Sequence, residues 1–240
     1  MKNLKSIFQI VTLTIIICTL QGYSCVGGRE YGPIERETRK VSNFDGINVS
    51  NGIDVFLTMG SGEYVEVEAE EDLLEHIVTE VQGNTLKIYF DNSFVWNKSA
   101  KVFVEAKSIN RISASGGSDV IGKNVLESRD LELKSSGGSD IKLEVKTKNL
   151  EVHISGGADI MLSGFTDQLQ ANSSGGSDLR ALELIAKKAR LEASGGADIK
   201  VHVEDEIDAR ASGGADIAYR GNPEVINSKT SSGADITRRD

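Results

Sequence analysis

An all-β solenoid, a parallel β-helix with coils of about 19–20 residues, is the fold that this sequence predicts. Three observations carry it. The phrase Ser-Gly-Gly-(Ser/Ala)-Asp-(Ile/Val/Leu) recurs from Ser115 onward and closes in an altered copy, Ser231 to Ile236. Its aspartates, Asp119, Asp140, Asp159, Asp178, Asp198, Asp216 and Asp235, follow one another at a near-constant interval. Between copies, apolar and polar residues alternate, as in Ile141, Leu143 and Val145 and then Leu150, Val152 and Ile154, the period of a strand with one buried face. At roughly 3.3 Å per residue such a unit makes a circuit of about 60 Å, one coil with two or three faces. The Leu and Asn spacing of leucine-rich repeats is absent, and a propeller blade needs about twice the length.

The chain has 240 residues, of which 39% are hydrophobic and only 5% aromatic, with 25 glycines and 2 prolines. That composition suits a core of stacked aliphatic rows, punctuated by glycine turns. Net charge is −9, or −11 once residues 1–24, whose only charges are Lys2 and Lys5, are set aside. An acidic chain with scattered cations lacks the basic footprint of a nucleic-acid binder. Cys18 and Cys25 are the only cysteines, so neither a disulfide framework nor a cysteine metal site is expected.

Residues 1–24 read as a signal peptide: Lys2 and Lys5, an apolar run from Ile7 to Leu20, then small residues. Export is therefore expected. The Ser24-Cys25 step resembles the lipobox of bacterial lipoproteins, although Gly22 stands where an aliphatic residue is usual. Two outcomes follow for Cys25: lipidation, giving an outer-membrane lipoprotein held by its lipid alone, or ordinary cleavage that leaves a free thiol. Residues 25–40 carry mixed charge and no apolar periodicity, the text of a flexible tether.

Residues 41–240 are expected to form one β-helix domain, with irregular head coils over 41–110 and regular coils over 111–240. In the head, Ile47, Val49, Val55 and Leu57 alternate with polar residues, and Glu70 to His76 alone has helical character. Ser50-Asn51-Gly52-Ile53-Asp54-Val55 repeats the grammar of the phrase, with Asn supplying the turn. The stretch from Asp54 to Asp119 has the length of about three coils, so three irregular head coils are expected.

Alternation orients the phrase. The Ser/Ala position faces inward, the aspartate outward, and the two glycines provide left-handed backbone at the corner. Stacked coils would set the aspartates about 4.8 Å apart. Their repulsion calls either for amide donors in the glycine turn or for a bound cation, and Ca²⁺ is the cation an oxygen column suits. One carboxylate per coil supplies few of the six to eight ligands Ca²⁺ takes, so no cofactor is expected.

Phe44-Asp45-Gly46-Ile47-Asn48-Val49-Ser50-Asn51-Gly52-Ile53-Asp54-Val55, followed by the Ser-Gly-Gly-(Ser/Ala)-Asp copies, resembles the auto-transporter adhesin family with a head GIN domain, Gly46-Ile47-Asn48 matching the tripeptide in its name. The resemblance covers about residues 44–236. It implies a right-handed parallel β-helix in exported envelope proteins of Bacteroides-like bacteria, and it brings no catalytic or ligand residues.

No nucleophile motif is present, and His76, His153 and His202 fall at unrelated points of the repeat. Identical carboxylates copied from coil to coil argue against an active site, which needs one asymmetric constellation. A polysaccharide lyase or hydrolase on a β-helix scaffold is the alternative to a non-enzymatic adhesin or binding scaffold. The candidate binding patch is Tyr89, Phe94 and Trp96, in a stretch with four of the thirteen aromatics; it suits an unknown protein or glycan, or else plugs an end of the solenoid.

Overall fold

The computed structural model describes residues 32–91 and 100–239. Strands β1 (Ile34–Arg39), β2 (Gly46–Val49), β3 (Ile53–Met59) and β4 (Tyr64–Glu70) lead to the one-turn helix α1 (Glu71–Leu74). Strands β5 (Ile77–Gln82), β6 (Thr85–Phe90) and β7 (Ala100–Ala106) complete the head. The coils follow as β8 (Arg111–Ser115), β9 (Val120–Gly122), β10 (Leu126–Ser136), β11 (Asp140–Gly156), β12 (Asp159–Gly175), β13 (Asp178–Gly195) and β14 (Asp198–Ser212). The last coil is β15 (Asp216–Arg220), β16 (Glu224–Ser231) and β17 (Asp235–Arg238).

The fold is the β-solenoid that the repeat predicts, with about 7 turns. From β10 onward one long strand makes most of a coil and pairs in parallel with the next, so Asp140 opposes Asp159 and Leu150 opposes Leu169. Equal coils put like residues in rows. Ile141, Ile160, Leu179, Ile199 and Ile217 form one buried row, and Leu131, Leu150, Leu169, Ala189 and Ile207 another. The alternation slips at Lys148 and Asn149, neither of them buried, and this slip is the second corner. There the buried Thr147 hydroxyl donates to Thr166 at 2.9 Å, whose own hydroxyl donates to the Gln168 carbonyl at 3.1 Å.

The coil from Asp178 to Asp198 is slightly longer than its neighbours and the one from Asp198 to Asp216 slightly shorter. Both keep the same stack because the difference is absorbed away from the glycine corner. Register shifts fall between Met161 and Ser163 and between Ala181 and Lys188, while Asp178 still opposes Asp198 and Ser194 still opposes Ser212. The inward Ser/Ala position is buried from Ser118 through Ala215. Where it is serine it has hydroxyl partners: Ser139 meets Ser135 at 2.8 Å and Ser177 meets Ser173 at 2.8 Å. Ser118 instead accepts the Gly52 and Ile53 amides at 3.0 Å each. Buried hydroxyls are thus satisfied within the core.

The head departs from simple stacking. β2 pairs in parallel with both β6 and β8, and β3 with both β7 and β9. The first coil in sequence is therefore sandwiched between the second (β6–β7) and the third (β8–β9). Where the spacing from Asp54 suggests three coils before Asp119, two are present, and β4, α1 and β5 occupy the remaining length. β4 and β5 pair antiparallel, with β7 and β6.

Residues 34–39, expected within a tether, form β1, antiparallel to β4. Every residue of β1 but Arg39 is exposed, so no buried face writes a period-2 pattern into it. Backbone pairing places it instead, helped by Arg36, which reaches Glu66 at 3.0 Å and Glu68 at 2.6 Å. A charged strand of this kind blunts an open sheet edge.

Only the first glycine of each corner is held in left-handed backbone throughout. Gly117, Gly138 and Gly214 also have positive φ, but Gly157, Gly176 and Gly196 do not, which corrects the expectation of two such glycines per corner. At Gly156 (φ +77°) an added Cβ would stand 3.1 Å from the Gly137 nitrogen, whereas at Gly157 it would meet open space. Gly156→Ala is expected to lower stability by about 1–2 kcal/mol and Gly157→Ala by much less, read from urea denaturation midpoints. Equal losses would refute this account of the corner.

Candidate functional surfaces

Three outer surfaces could meet a ligand. The first is the aspartate column, which the register makes continuous from Asp140 through Asp235. Asp54 extends it at the head: Val55 opposes Val120, and Asp54 itself opposes Lys101 on its other side. The glycine-turn donors expected for these carboxylates are not what offsets their charge. Asp119 Oδ1 accepts the Asp140 amide at 3.2 Å. Arg180 bridges Asp159 at 3.0 Å and Asp178 at 2.8 Å, and Lys200 lies 3.7 Å from Asp198. The amides of Asp178 and Asp198 donate to the Ala158 and Ser177 carbonyls, one coil back. Burial pushes the Asp54 and Asp119 carboxyls up, partly countered by backbone amides. Among the described residues no three His, Cys, Asp or Glu side chains are grouped to hold a metal ion.

The second surface is aromatic. Tyr89 projects from β6 and donates its hydroxyl to Glu80 Oε1 at 3.0 Å, which raises the phenol's pKa. Phe94 and Trp96 lie outside the described residues, as does Cys25. Sequence reasoning missed a different aromatic pair. Phe56 and Phe103, on neighbouring strands, stack with centroids 5.3 Å apart. The Arg36 guanidinium lies 5.2 Å from the Phe103 centroid and the Lys123 ammonium 4.3 Å from that of Phe56. With partners already on the rings, this ladder braces the head.

The third surface was also missed. The first serine of each phrase faces outward and stacks in a column: Ser115, Ser136, Ser155, Ser174, Ser194, Ser212 and Ser231. Two positions earlier stands a varied column that includes Lys134, His153, Asn172, Glu192 and Arg210. From Ser136 to Ser231 the serines, with the column beside them, line a groove of 1230 Å³ running along the solenoid axis. A parallel groove of 710 Å³ runs beside the second corner, past Asn149, Gln168, Gln170 and Arg190. The signal for both was present in the phrase's leading serine, which alternation assigns to the outside once the register is known.

The three histidines stay apart. His76 Nδ1 is 3.2 Å from Asp91, His153 Nε2 is 2.8 Å from Glu151 Oε1, and His202 opposes Arg220 across the sheet.

The family described as "Putative auto-transporter adhesin, head GIN domain" matches residues 43–223. No curated protein matches the chain. Among solved structures, a protein of Bacteroides fragilis described as a putative adhesin is 22% identical, with a TM-score of 0.80 over 86% of this chain and 97% of its own. One from Parabacteroides merdae, also described as a putative adhesin, is 19% identical, with a TM-score of 0.72 over 87% and 97%. A third, from Parabacteroides distasonis, is described as a putative lipid binding protein; it is 23% identical, with a TM-score of 0.69 over 87% and 98%. At such identities the likeness is one of fold.

The Asp119 carboxyl is held above its ordinary value in the folded chain, so folding favours its protonated form. The stability that this permits is complete below the ordinary carboxylate range and is lost as pH rises through the raised value. Asp119→Asn removes the penalty and keeps an oxygen for the Asp140 amide. Its melting temperature is expected to exceed that of the parent at neutral pH, and the gap to close on acidification to about pH 3. A lower melting temperature at neutral pH would show the charge to be stabilising instead.

Proposed function

The chain belongs to the head GIN domain adhesin family, and we propose that it is an exported cell-envelope protein that binds a ligand on the grooved face of its solenoid without converting it. The observation that carries this reading is the pair of parallel grooves on one outer face, lined by columns that continue from coil to coil. The serine column is uniform while the columns beside it change from coil to coil, so the surface is continuous in shape and varied in chemistry, as suits a binding scaffold. Catalysis calls for one asymmetric cluster of acid, base and stabilising groups, and the carboxylates here recur at equivalent positions.

Export rests on residues 1–24 read as a signal peptide, and Cys25 is the lipidation point in this proposal. The lipid attaches the protein to the outer membrane. A lipid as the bound ligand, raised by the description of the Parabacteroides distasonis neighbour, fits the grooves poorly. Their exposed side chains are hydroxyls, carboxamides and charged groups, while the apolar lining residues, such as Leu150 and Leu169, are buried in the core.

Cells expressing the full chain would be labelled with a fatty-acid probe and treated with protease while intact. Label that is lost in Cys25→Ser, together with cleavage of the solenoid on intact cells, is the expected result. Purified protein incubated with plant, host and bacterial polysaccharides is expected to release neither reducing ends nor unsaturated products. Product formation would instead favour the lyase or hydrolase reading.

A further inference from the structure

One strand differs from its neighbours on the grooved face. Along β12 the outward positions are Gln168, Gln170, Asn172 and Ser174, with no charge among them. Among the described residues, the side chains of Gln168, Gln170 and Asn172 have no hydrogen-bond partner. The two glutamines are exposed and Asn172 half-buried. The strands on either side do the opposite. On β11, Glu151 pairs with His153 at 2.8 Å. On β13, Lys188 is 2.6 Å from Glu206, and Glu192 is 3.6 Å from Arg190 and 3.0 Å from Arg210.

The row also joins the two grooves. Gln168 and Gln170 line the smaller, while Asn172 and Ser174 line the larger. At two residues per step the four side chains span about 20 Å, the length of a short oligosaccharide.

We propose that this carboxamide row is the binding site for a neutral glycan, lying across the solenoid from one groove into the other. The inference rests on the ligand-binding reading above and names its ligand class. Each carboxamide offers two donors and an acceptor oxygen with two lone pairs, and each sugar hydroxyl both donates and accepts, so the row answers vicinal hydroxyls in either sense. The groups are unpaired in the free protein, so contact with a ligand breaks no internal bond and displaces only water. A polyanion is disfavoured because the nearest cations, Lys188, Arg190 and Arg210, already face carboxylates. A protein partner is disfavoured because the row lacks the aromatic and arginine anchors that dominate such interfaces.

The absence of internal partners makes the test clean. The full chain, and the same chain carrying Gln168→Ala, Gln170→Ala and Asn172→Ala, would be compared on an array of neutral oligosaccharides, sulfated and uronic-acid glycans, and host proteins. Melting curves of both would be recorded. The parent is expected to bind neutral oligosaccharides equally at low and high salt. The triple variant should melt with the parent and bind them at least about tenfold more weakly. Binding of the neutral glycans that survives the triple substitution overturns the site. Binding only to charged glycans or to proteins, unchanged in the variant, overturns the site while leaving the binding scaffold intact. No capture by the parent of any probe overturns both.

Discussion

The contact on which the structure depends is backbone against backbone at the glycine corner. The Gly176 amide donates to the Gly156 carbonyl at 2.8 Å, and the Gly196 amide to that of Gly175 at 2.7 Å. A Cβ on Gly175 would stand 3.0 Å from the Gly156 oxygen, so this corner seats on the one before it only while its first residue lacks a side chain. Asn51 in the first coil and Ser232 in the last hold the same left-handed backbone with a side chain. Because the glycine corners between these two leave little room for bulk, the coils return to the same point. That return turns a linear sequence into columns, inside and out. Variation in coil length is accommodated where the stack is looser, in the bulges between Met161 and Lys188.

Inside, the columns fill by complementation. The buried pairs Ser135–Ser139 and Ser173–Ser177 alternate with the apolar pairs Ile154–Ala158 and Ala193–Ala197. A hydroxyl is admitted at the corner where a second hydroxyl or a backbone group can satisfy it, which avoids the cost of an orphaned buried polar atom. At the last coil the same rows change character: Ser228 and Thr230, opposite Ala209 and Ala211, are exposed. Polar groups there finish the core against water, as terminal repeats of solenoids commonly do. At the other end β1 and β4 serve the same purpose with charge.

The parts of this molecule that could be read in advance are those dictated by local repetition. Period, alternation, the inward Ser/Ala position and the outward aspartates all follow from neighbours close in the chain. The placement of β2 between β6 and β8 does not, because both partners lie far downstream and nothing local says which coil is outermost. β1 escaped notice because both of its faces meet solvent. The partners of the aspartates were misassigned for a related reason: Arg180 stands next but one to Asp178 in the chain, but it reaches Asp159 only across the stack. The grooves likewise exist only once separate strands are laid side by side.

A solenoid of this kind separates what holds it up from what it displays. The inward rows admit little besides aliphatic residues, alanine and partnered hydroxyls, since every coil must fit the next. The outward column at the second corner runs Asp130, Asn149, Gln168, Lys188 and Glu206, from a carboxylate through two carboxamides to an ammonium and back to a carboxylate. Stacking demands none of those identities. On the grooved face most outward charges nonetheless settle into pairs between or along coils, because like charges one strand apart would repel. A row left both uncharged and unpaired, as on β12, is therefore neither required by the fold nor explained by the surrounding ion pairs. Its chemistry is directed outward, toward whatever occupies the grooves.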